Sequence, residues 1–383
     1  MEQILLSLAL MLLFAKLLGN LFERFGVASL VGEILAGVVL GPVLGWVVLG
    51  DFIGGFMTLG IIFLMFIAGI EVRIDDIKDN TYKASVLAVS GGVLSFLLGA
   101  LVGMVFFNDW ITAIAIGTVI ISTSNGALFL MLVKAKKFDT KIGKLIMATT
   151  IADDVVGIMA IALFRMYTQA AVSFFSLFSI LLVALGFYLF ILTTGSKAIT
   201  KVVSKLHMFS DEYVLFAIPV AIMFLFSFIT DNLGLSLAAG AFLAGMALSN
   251  SHFADPVIQP KISTISYGLM LPIFYAAVGT LLVFSGLDMV LISAIIAACV
   301  VGKFIGCGIL SKFLGLSWDD AKLMGIAMIP RGGEDVGILQ LIVIASAAGV
   351  ASAGITTSVY TSIIFAIIAT TVMSPIIAKI FVK

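Results

Sequence analysis

Thirteen apolar segments follow one another along this chain with only short polar connections between them. They span approximately residues 3–22, 27–48, 52–72, 82–107, 110–133, 142–166, 172–195, 212–231, 234–250, 263–285, 288–311, 321–349 and 354–380. A helix needs about 20 apolar residues to cross a bilayer, and lipid leaves no water to satisfy the backbone of irregular segments. The chain is 62% hydrophobic and 11% charged, whereas soluble proteins average about 25% charged residues. We therefore predict an all-α integral membrane protein with about 13 transmembrane helices and no soluble domain.

The basic residues indicate an orientation for these helices. If the N-terminus lies outside the cell, 18 of the 21 Lys and Arg residues fall in cytoplasmic loops or at cytoplasmic helix ends. Arg165 then lies on the outer side, and Lys303 and Arg331 fall inside apolar segments. Lys and Arg tend to remain on the cytoplasmic side of a membrane. We predict a multi-pass protein of the plasma membrane with its N-terminus outside and its C-terminus in the cytoplasm.

Two adjacent carboxylates, Asp153 and Asp154, lie near the middle of the sixth apolar segment. Each costs about 2.5–3.5 kcal/mol at the bilayer centre, so the pair costs roughly 5–7 kcal/mol. A bound cation, a proton or a buried basic partner compensates for such a cost. Lys303 lies about halfway along the eleventh segment and is a candidate partner of this kind. The alternative is that the helix boundaries differ from those predicted and that the lysine lies at the inner membrane interface. Adjacent helix residues point about 100° apart, so we expect one aspartate to pair with Lys303 and the other to face a water-filled cavity.

Polar and helix-breaking residues interrupt two of the segments. Residues 121–126 read ISTSNG in the fifth segment, and residues 329–335 read IPRGGED in the twelfth. Interrupted helices in corresponding positions of two halves point to the midplane site of a transporter built from inverted repeats. We predict repeat one at about 1–167, a connector helix at about 172–195 and repeat two at about 212–383, with the discontinuous helices crossing. Close helix packing is the alternative for residues 122–126, and we interpret Arg331 and Glu334 as a structural ion pair.

The ordered set of motifs resembles the monovalent cation/proton antiporter superfamily. VGEILAGVVLGP at 31–42, FLMFIAGIE at 63–71, Thr123 with Ser124, ADD at 152–154, Gly302 with Lys303, and PRGGE at 330–334 cover nearly the whole chain in order. The paired aspartates are similar to those of electrogenic sodium/proton antiporters of the NapA group. Relatives commonly have a single glycine where this chain has two, which leaves the register of Glu334 and Asp335 open.

This resemblance implies an NhaA-like fold in which Asp154 binds the cation and Asp153 pairs with Lys303. Thr123 and Ser124 would lie near the ion, where the broken helices cross. The resemblance also implies a core that moves against a scaffold, a homodimer, and exchange of Na⁺ or Li⁺ for H⁺ by alternating access. Such exchange is expected to be electrogenic and to need no cofactor, the partners being the transported ions, the lipid bilayer and a second copy of the chain.

Other function classes fit the sequence less well. Potassium/proton antiport and sodium-coupled solute symport remain alternatives with the same broken-helix architecture. A symporter would need a larger polar cavity than the few mid-depth polar side chains provide. No metal-ligand set, Gly-x-Ser-x-Gly motif or phosphate loop occurs in a context that indicates an enzyme, and no feature of the sequence indicates nucleic-acid binding.

Overall fold

The computed structural model of this chain describes residues 2–47, 50–71, 81–125, 128, 131–132, 137–138, 140–169, 212–232, 237–249, 259–284, 287–347 and 355–381. The helices of this described part are α1 (Glu2–Arg24), α2 (Ser29–Val43), α3 (Asp51–Glu71), α4 (Thr81–Phe107), α5 (Trp110–Val119), α6 (Lys141–Gln169), α7 (Glu212–Asn232), α8 (Leu237–Ser249), α9 (Gln259–Thr280), α10 (Met289–Phe313), α11 (Trp318–Ala327), α12 (Gly333–Ala347) and α13 (Thr357–Phe381). Helices α2, α9 and α10 each contain a π-helical turn, at Val39–Val43, Ser266–Met270 and Phe304–Ile309.

Helices overlap twelve of the thirteen predicted segments, and the seventh, at 172–195, lies outside the described residues. Six of the described helices are long and apolar enough to cross a membrane: α1, α3, α4, α6, α9 and α10. The prediction of an all-helical membrane protein is therefore confirmed for the described residues. The inverted repeats, the orientation of the termini and the homodimer stay predictions.

Side-chain caps fix where two of these helices begin. Asp109 precedes α5 and accepts a hydrogen bond from the backbone N–H of Thr112 at 2.8 Å. Asp288 precedes α10 and accepts from the N–H groups of Val290 at 2.9 Å and Leu291 at 3.1 Å. The first N–H groups of a helix have no intrahelical acceptor, and an aspartate at this position satisfies them.

One of the two compact units of the chain comprises residues 1–8, 49–75 and 161–274. Within it α3 packs against α8 at very short range. A Cβ atom on Gly69 would stand 2.1 Å from the carbonyl oxygen of Phe242, and one on Gly245 would stand 2.2 Å from that of Phe66. Only glycine permits this approach, and small residues at helix interfaces are typical of membrane proteins.

The other compact unit comprises residues 9–48, 76–160 and 275–383, and so draws on both predicted repeats. Within it α4 packs against α5 and against α10. Part of the contact with α10 falls on its π-helical turn. Ser90 donates its hydroxyl to the carbonyl of Gly306 at 2.7 Å, Cys307 donates to the carbonyl of Leu87 at 3.3 Å, and a Cβ on Gly91 would stand 2.3 Å from Cys307 Sγ. Helix α4 therefore holds the irregular turn of α10 in place.

The two predicted interruptions are present and lie against each other in this second unit. Residues 120–124 separate α5 from the chain that follows, and residues 328–332 separate α11 from α12. The backbone N–H of Ser124 donates to the carbonyl of Pro330 at 2.8 Å, and the hydroxyl of Thr123 reaches the carbonyl of Met328 at 3.2 Å. Each unwound segment thus supplies hydrogen-bond partners that the other has lost, as buried backbone in a membrane requires.

Candidate cation site

The adjacent aspartates lie inside α6, in the same compact unit as the two interruptions. Asp153 is 0% exposed and Asp154 is 4% exposed. Thr149 and Thr150 lie about one turn earlier in α6. Their hydroxyls donate hydrogen bonds to backbone carbonyls of the same helix at 2.8 and 3.0 Å. Because successive side chains of a helix diverge by about 100°, the two carboxylates have different neighbours.

Asp153 forms a buried ion pair. Lys303 Nζ lies 2.5 Å from Asp153 Oδ1, and both side chains are fully buried. The hydroxyl of Thr123 lies 2.8 Å from Asp153 Oδ2, to which it donates. Lys303 immediately precedes the π-helical turn of α10, and such turns are frequent at functional sites. The charge of Asp153 is therefore matched by a lysine, and its second oxygen accepts from a neutral donor.

Asp154 receives uncharged donors from the unwound segment that follows α5. Asn125 Nδ2 donates to Asp154 Oδ2 at 2.8 Å, and the hydroxyl of Ser122 donates to Oδ1 at 3.3 Å. Glu334, half-buried in the first turn of α12, acts on Asp154 by charge repulsion. The donors that the described residues give to Asp154 are thus neutral, and the charges of Glu334 and Asp153 act on it by repulsion.

The guanidinium of Arg331 supports the unwound backbone around these acids. Arg331 is fully buried, donates to the backbone carbonyl of Ser122 and lies 3.5 Å from Ser95 Oγ. The hydroxyl of Thr371 in α13 donates in turn to the carbonyl of Arg331. Carbonyls freed at the end of a helix carry partial negative charge, and a basic side chain there is stabilising. Arg331 therefore satisfies the backbone of one interruption from within the other.

The first turn of α12 contains the two acids whose register the sequence leaves open. Asp335 is fully buried, accepts from the backbone N–H of Gly332 at 2.7 Å and interacts electrostatically with Arg331. The hydrogen bond from Gly332 to Asp335 is one half of a capping box. Acids in a first turn also compensate the positive end of the helix dipole. Glu334 instead interacts with Asp154. The structural ion pair of Arg331 with Glu334 stays a prediction, and Asp335 is a further acid that interacts with Arg331.

The candidate residues named from the sequence divide into two groups. Asp153, Lys303 and Thr123 form the ion-paired group. Ser124 is 3% exposed and joins the two interruptions through its backbone N–H. Asp154 lies in the second group, whose other members are residues that the sequence reasoning did not single out.

Ser122 and Asn125 are the two site residues that were missed. Both belong to the polar interruption ISTSNG and flank the two residues chosen from it. Their position in this run was a usable signal, because every polar side chain of an unwound membrane segment needs a partner. What the sequence does not contain is which of the four polar side chains points to which aspartate.

The geometry around Asp154 suits a hard monovalent cation or a proton. Carboxylate, hydroxyl and amide oxygens are the ligands that hard cations prefer. Asp154 supplies a carboxylate and Ser122 a hydroxyl within hydrogen-bonding distance, and Asn125 places an amide beside the same carboxylate, to which its nitrogen donates. Protonation of the carboxylate removes its charge as effectively as cation binding does, so the two processes compete for one group.

Comparison with known proteins assigns the chain to a family. The family described as "Sodium/hydrogen exchanger, transmembrane" matches residues 9–383. The chain belongs to this sodium/hydrogen exchanger family. The resemblance to monovalent cation/proton antiporters that the motifs indicate is confirmed.

Relatives of this exchanger-family chain match it over nearly its whole length. It is 28% identical over 382 residues to a Na(+)/H(+) antiporter of Enterococcus hirae, which covers 98% of this chain and 97% of that protein. It is 26% identical over 381 residues to the Na(+)/H(+)-K(+) antiporter GerN of Bacillus cereus, covering 97% and 95%. The solved structure of the sodium proton antiporter MjNhaP1 from Methanocaldococcus jannaschii at pH 8 shares its fold, with a TM-score of 0.78, 16% identity and coverage of 99% and 98%.

Proposed function

We propose that this protein exchanges Na⁺ or Li⁺ for H⁺ across the cell membrane by alternating access. Membership of the sodium/hydrogen exchanger family supports cation/proton exchange in general. The observation that carries the proposal is the unequal pairing of the adjacent aspartates. Asp153 is neutralised by Lys303 at 2.5 Å, whereas Asp154 receives neutral donors from the described residues. Asp154 is therefore the group that binds the transported cation.

Competition for Asp154 is sufficient to couple the two ion movements. An ionised carboxylate in the bilayer interior is unfavourable, and a bound Na⁺ or a proton removes its charge. The neutralised site changes the side from which it is accessible more readily than the empty, charged one. A cation that enters from one side and leaves on the other is then exchanged for a proton that makes the return step.

The ion pair of Asp153 with Lys303 supports electrogenic exchange. If cation binding at Asp154 frees Asp153 from Lys303, the return step carries a second proton on the lysine or on Asp153. Two protons for one Na⁺ move net charge across the membrane. Transport rates that are equal at widely different membrane potentials would contradict this stoichiometry.

Potassium is the second candidate for the exchanged cation. The GerN relative, which is 26% identical over 381 residues, is named a Na(+)/H(+)-K(+) antiporter. Direct comparison of Na⁺, Li⁺ and K⁺ in one assay distinguishes the candidate cations for this chain.

Liposomes containing the purified protein and an internal pH dye test the proposal. Each cation is added in turn to wild type and to Asp154→Asn, which keeps the shape of the side chain and removes its charge. We expect Na⁺ and Li⁺ to drive a pH change in wild type and to drive none in the variant. Asp319→Asn is the matched control, since that side chain is 97% exposed, and it should behave as wild type.

Two outcomes separate the parts of the proposal. A wild type that gives no pH change with Na⁺ or Li⁺ removes Na⁺/H⁺ exchange as the function. Normal activity of Asp154→Asn removes the assignment of the site while leaving the exchange activity intact.

A further inference from the structure

Of the hydrogen bonds that described side chains donate to Asp154, the one from Asn125 is shorter than the one from Ser122. Asn125 Nδ2 lies 2.8 Å from Asp154 Oδ2, compared with 3.3 Å between Ser122 Oγ and Oδ1. Asn125 is the residue at which helical structure resumes after the unwound segment, and it is only partly buried, whereas Asp154 is 4% exposed. The amide group of Asn125 therefore contacts an enclosed carboxylate from a less enclosed position.

The chemistry of an amide suits every state that the carboxylate takes during exchange. An ionised carboxylate only accepts hydrogen bonds and so faces the NH₂ group of the amide. A protonated carboxyl donates its O–H, and an alkali cation needs oxygen ligands, so both face the amide carbonyl. A rotation of about 180° about the Cβ–Cγ bond exchanges the two ends of the amide, and this torsion is soft in asparagine.

We propose that Asn125 is a specificity-determining residue of the cation site, whose NH₂ group holds Asp154 in the cation-free protein and whose carbonyl oxygen binds the cation once the amide has turned. The inference rests on the proposed function, since it takes Asp154 as the residue that binds the transported ion. In the cation-free arrangement the amide nitrogen occupies one side of the carboxylate. Cation binding on that side replaces a hydrogen bond by two oxygen ligands, one from each residue.

The neighbouring side chains are less able to make this change. The hydroxyl of Thr123 is directed to Asp153 and to the carbonyl of Met328. Glu334 carries a charge of its own and acts on Asp154 by repulsion. Asn125 supplies a neutral oxygen that enters and leaves without altering the net charge of the site.

The class of ion favoured by such a ligand is a small alkali cation. The Coulomb energy between an ion and a ligand oxygen falls as their separation grows. The amide carbonyl therefore contributes more to Na⁺ and Li⁺ than to the larger K⁺. A proton needs no set of oxygen ligands, so loss of this carbonyl weakens Na⁺ and Li⁺ relative to both K⁺ and H⁺.

Three variants in the liposome assay test this assignment at a fixed pH. Asn125→Leu keeps a similar volume and removes both the donor and the acceptor, whereas Asn125→Gln keeps the amide on a chain longer by one methylene. Asn20→Leu makes the same chemical change at an exposed position of α1 and serves as the matched control. The pH response is measured over a range of Na⁺, Li⁺ and K⁺ concentrations.

For Asn125→Leu we expect the half-saturating Na⁺ concentration to rise by about tenfold or more, because contacts with a charged group carry an energy of this order. The rise should be smaller for K⁺, and the maximal rate should change less than the half-saturating concentration. Asn125→Gln should return the value to within about threefold of wild type, and Asn20→Leu should match wild type.

A half-saturating Na⁺ concentration within about twofold of wild type in Asn125→Leu would overturn the inference, as would a loss of maximal rate alone. If Asn125→Leu does not fold, Asn125→Ala is judged by the same two measures. A wild type that gives no pH response to Na⁺ or Li⁺ instead overturns the proposed function. That result is obtained before any variant is compared.

Discussion

Replacing Lys303 by Gln removes the positive charge beside Asp153 and keeps a side chain of similar length. Both residues of the pair are fully buried, with Nζ and Oδ1 2.5 Å apart. Removing one partner of a buried pair costs about 3–5 kcal/mol, because the other charge is left uncompensated. We therefore expect Lys303→Gln to lower the free energy of unfolding by about 3–5 kcal/mol.

Thermal unfolding in detergent micelles at pH 7 measures this loss. The double variant Asp153→Asn/Lys303→Gln should recover most of the lost stability, because neither charge is then left alone and residues in contact are not additive. Lys312→Gln is the control on the same helix. Lys312 lies 5.5 Å from the ring of Trp318 and is only partly buried, so its replacement should cost less than about 1 kcal/mol. A loss below about 1 kcal/mol for Lys303→Gln, or a double variant as unstable as the single one, would refute the reasoning.

Two further predictions concern the backbone. Gly332→Ala would place a Cβ 2.3 Å from Ser124 Oγ and 3.0 Å from Ser124 Cα, so we expect a loss of roughly 1–3 kcal/mol in thermal unfolding and slower exchange in liposomes. Gly268→Ala, with nothing within 4 Å, should change neither. Asp109→Ala removes the cap of α5 and should cost about 1 kcal/mol. The hydroxyl and N–H of Thr112 hold the pKa of Asp109 below its ordinary value, so the cap stabilises at neutral pH and is lost as the pH falls through that lowered pKa; the difference in melting temperature should shrink in acid and would speak against the cap if it grew.

The positions of the helices and of the charged residues could be predicted because the bilayer penalises every exception. An apolar run of about 20 residues has few alternatives to a helix, and a charge within it needs a partner. Lys303 and Asp153 illustrate the second point, since each was the kind of group that the other required. The interruptions of the fifth and twelfth segments were visible because hydroxyl residues, Gly and Pro cluster in them at membrane depth, and such clusters favour unwound backbone.

The partners of individual polar groups could not be predicted in the same way. The 100° angle between successive residues implies that the side chains of Asp153 and Asp154 diverge. Which residues contact each carboxylate depends on the packing of α5, α10 and α12. The sequence predicts an acidic partner for Arg331, and it does not predict that the guanidinium also donates to the backbone carbonyl of Ser122. Backbone acceptors are invisible in a sequence because every residue carries the same carbonyl. The different contacts of Glu334 and Asp335 likewise depend on the residue at which α12 begins.

The π-helical turn at Phe304–Ile309 has a consequence for how relatives are aligned with this chain. A helix that accommodates one additional residue within a turn rotates everything beyond it by about 100° relative to an uninterrupted helix. Consider a homologue with a regular helix in this region, aligned without gaps. Its residue at the position of Lys303 would have the same orientation around the helix axis, whereas its residue at the position of Ser311 would not. Gapless alignment across these six residues would then assign lipid-facing positions to the interior, and a one-residue gap would restore the correspondence.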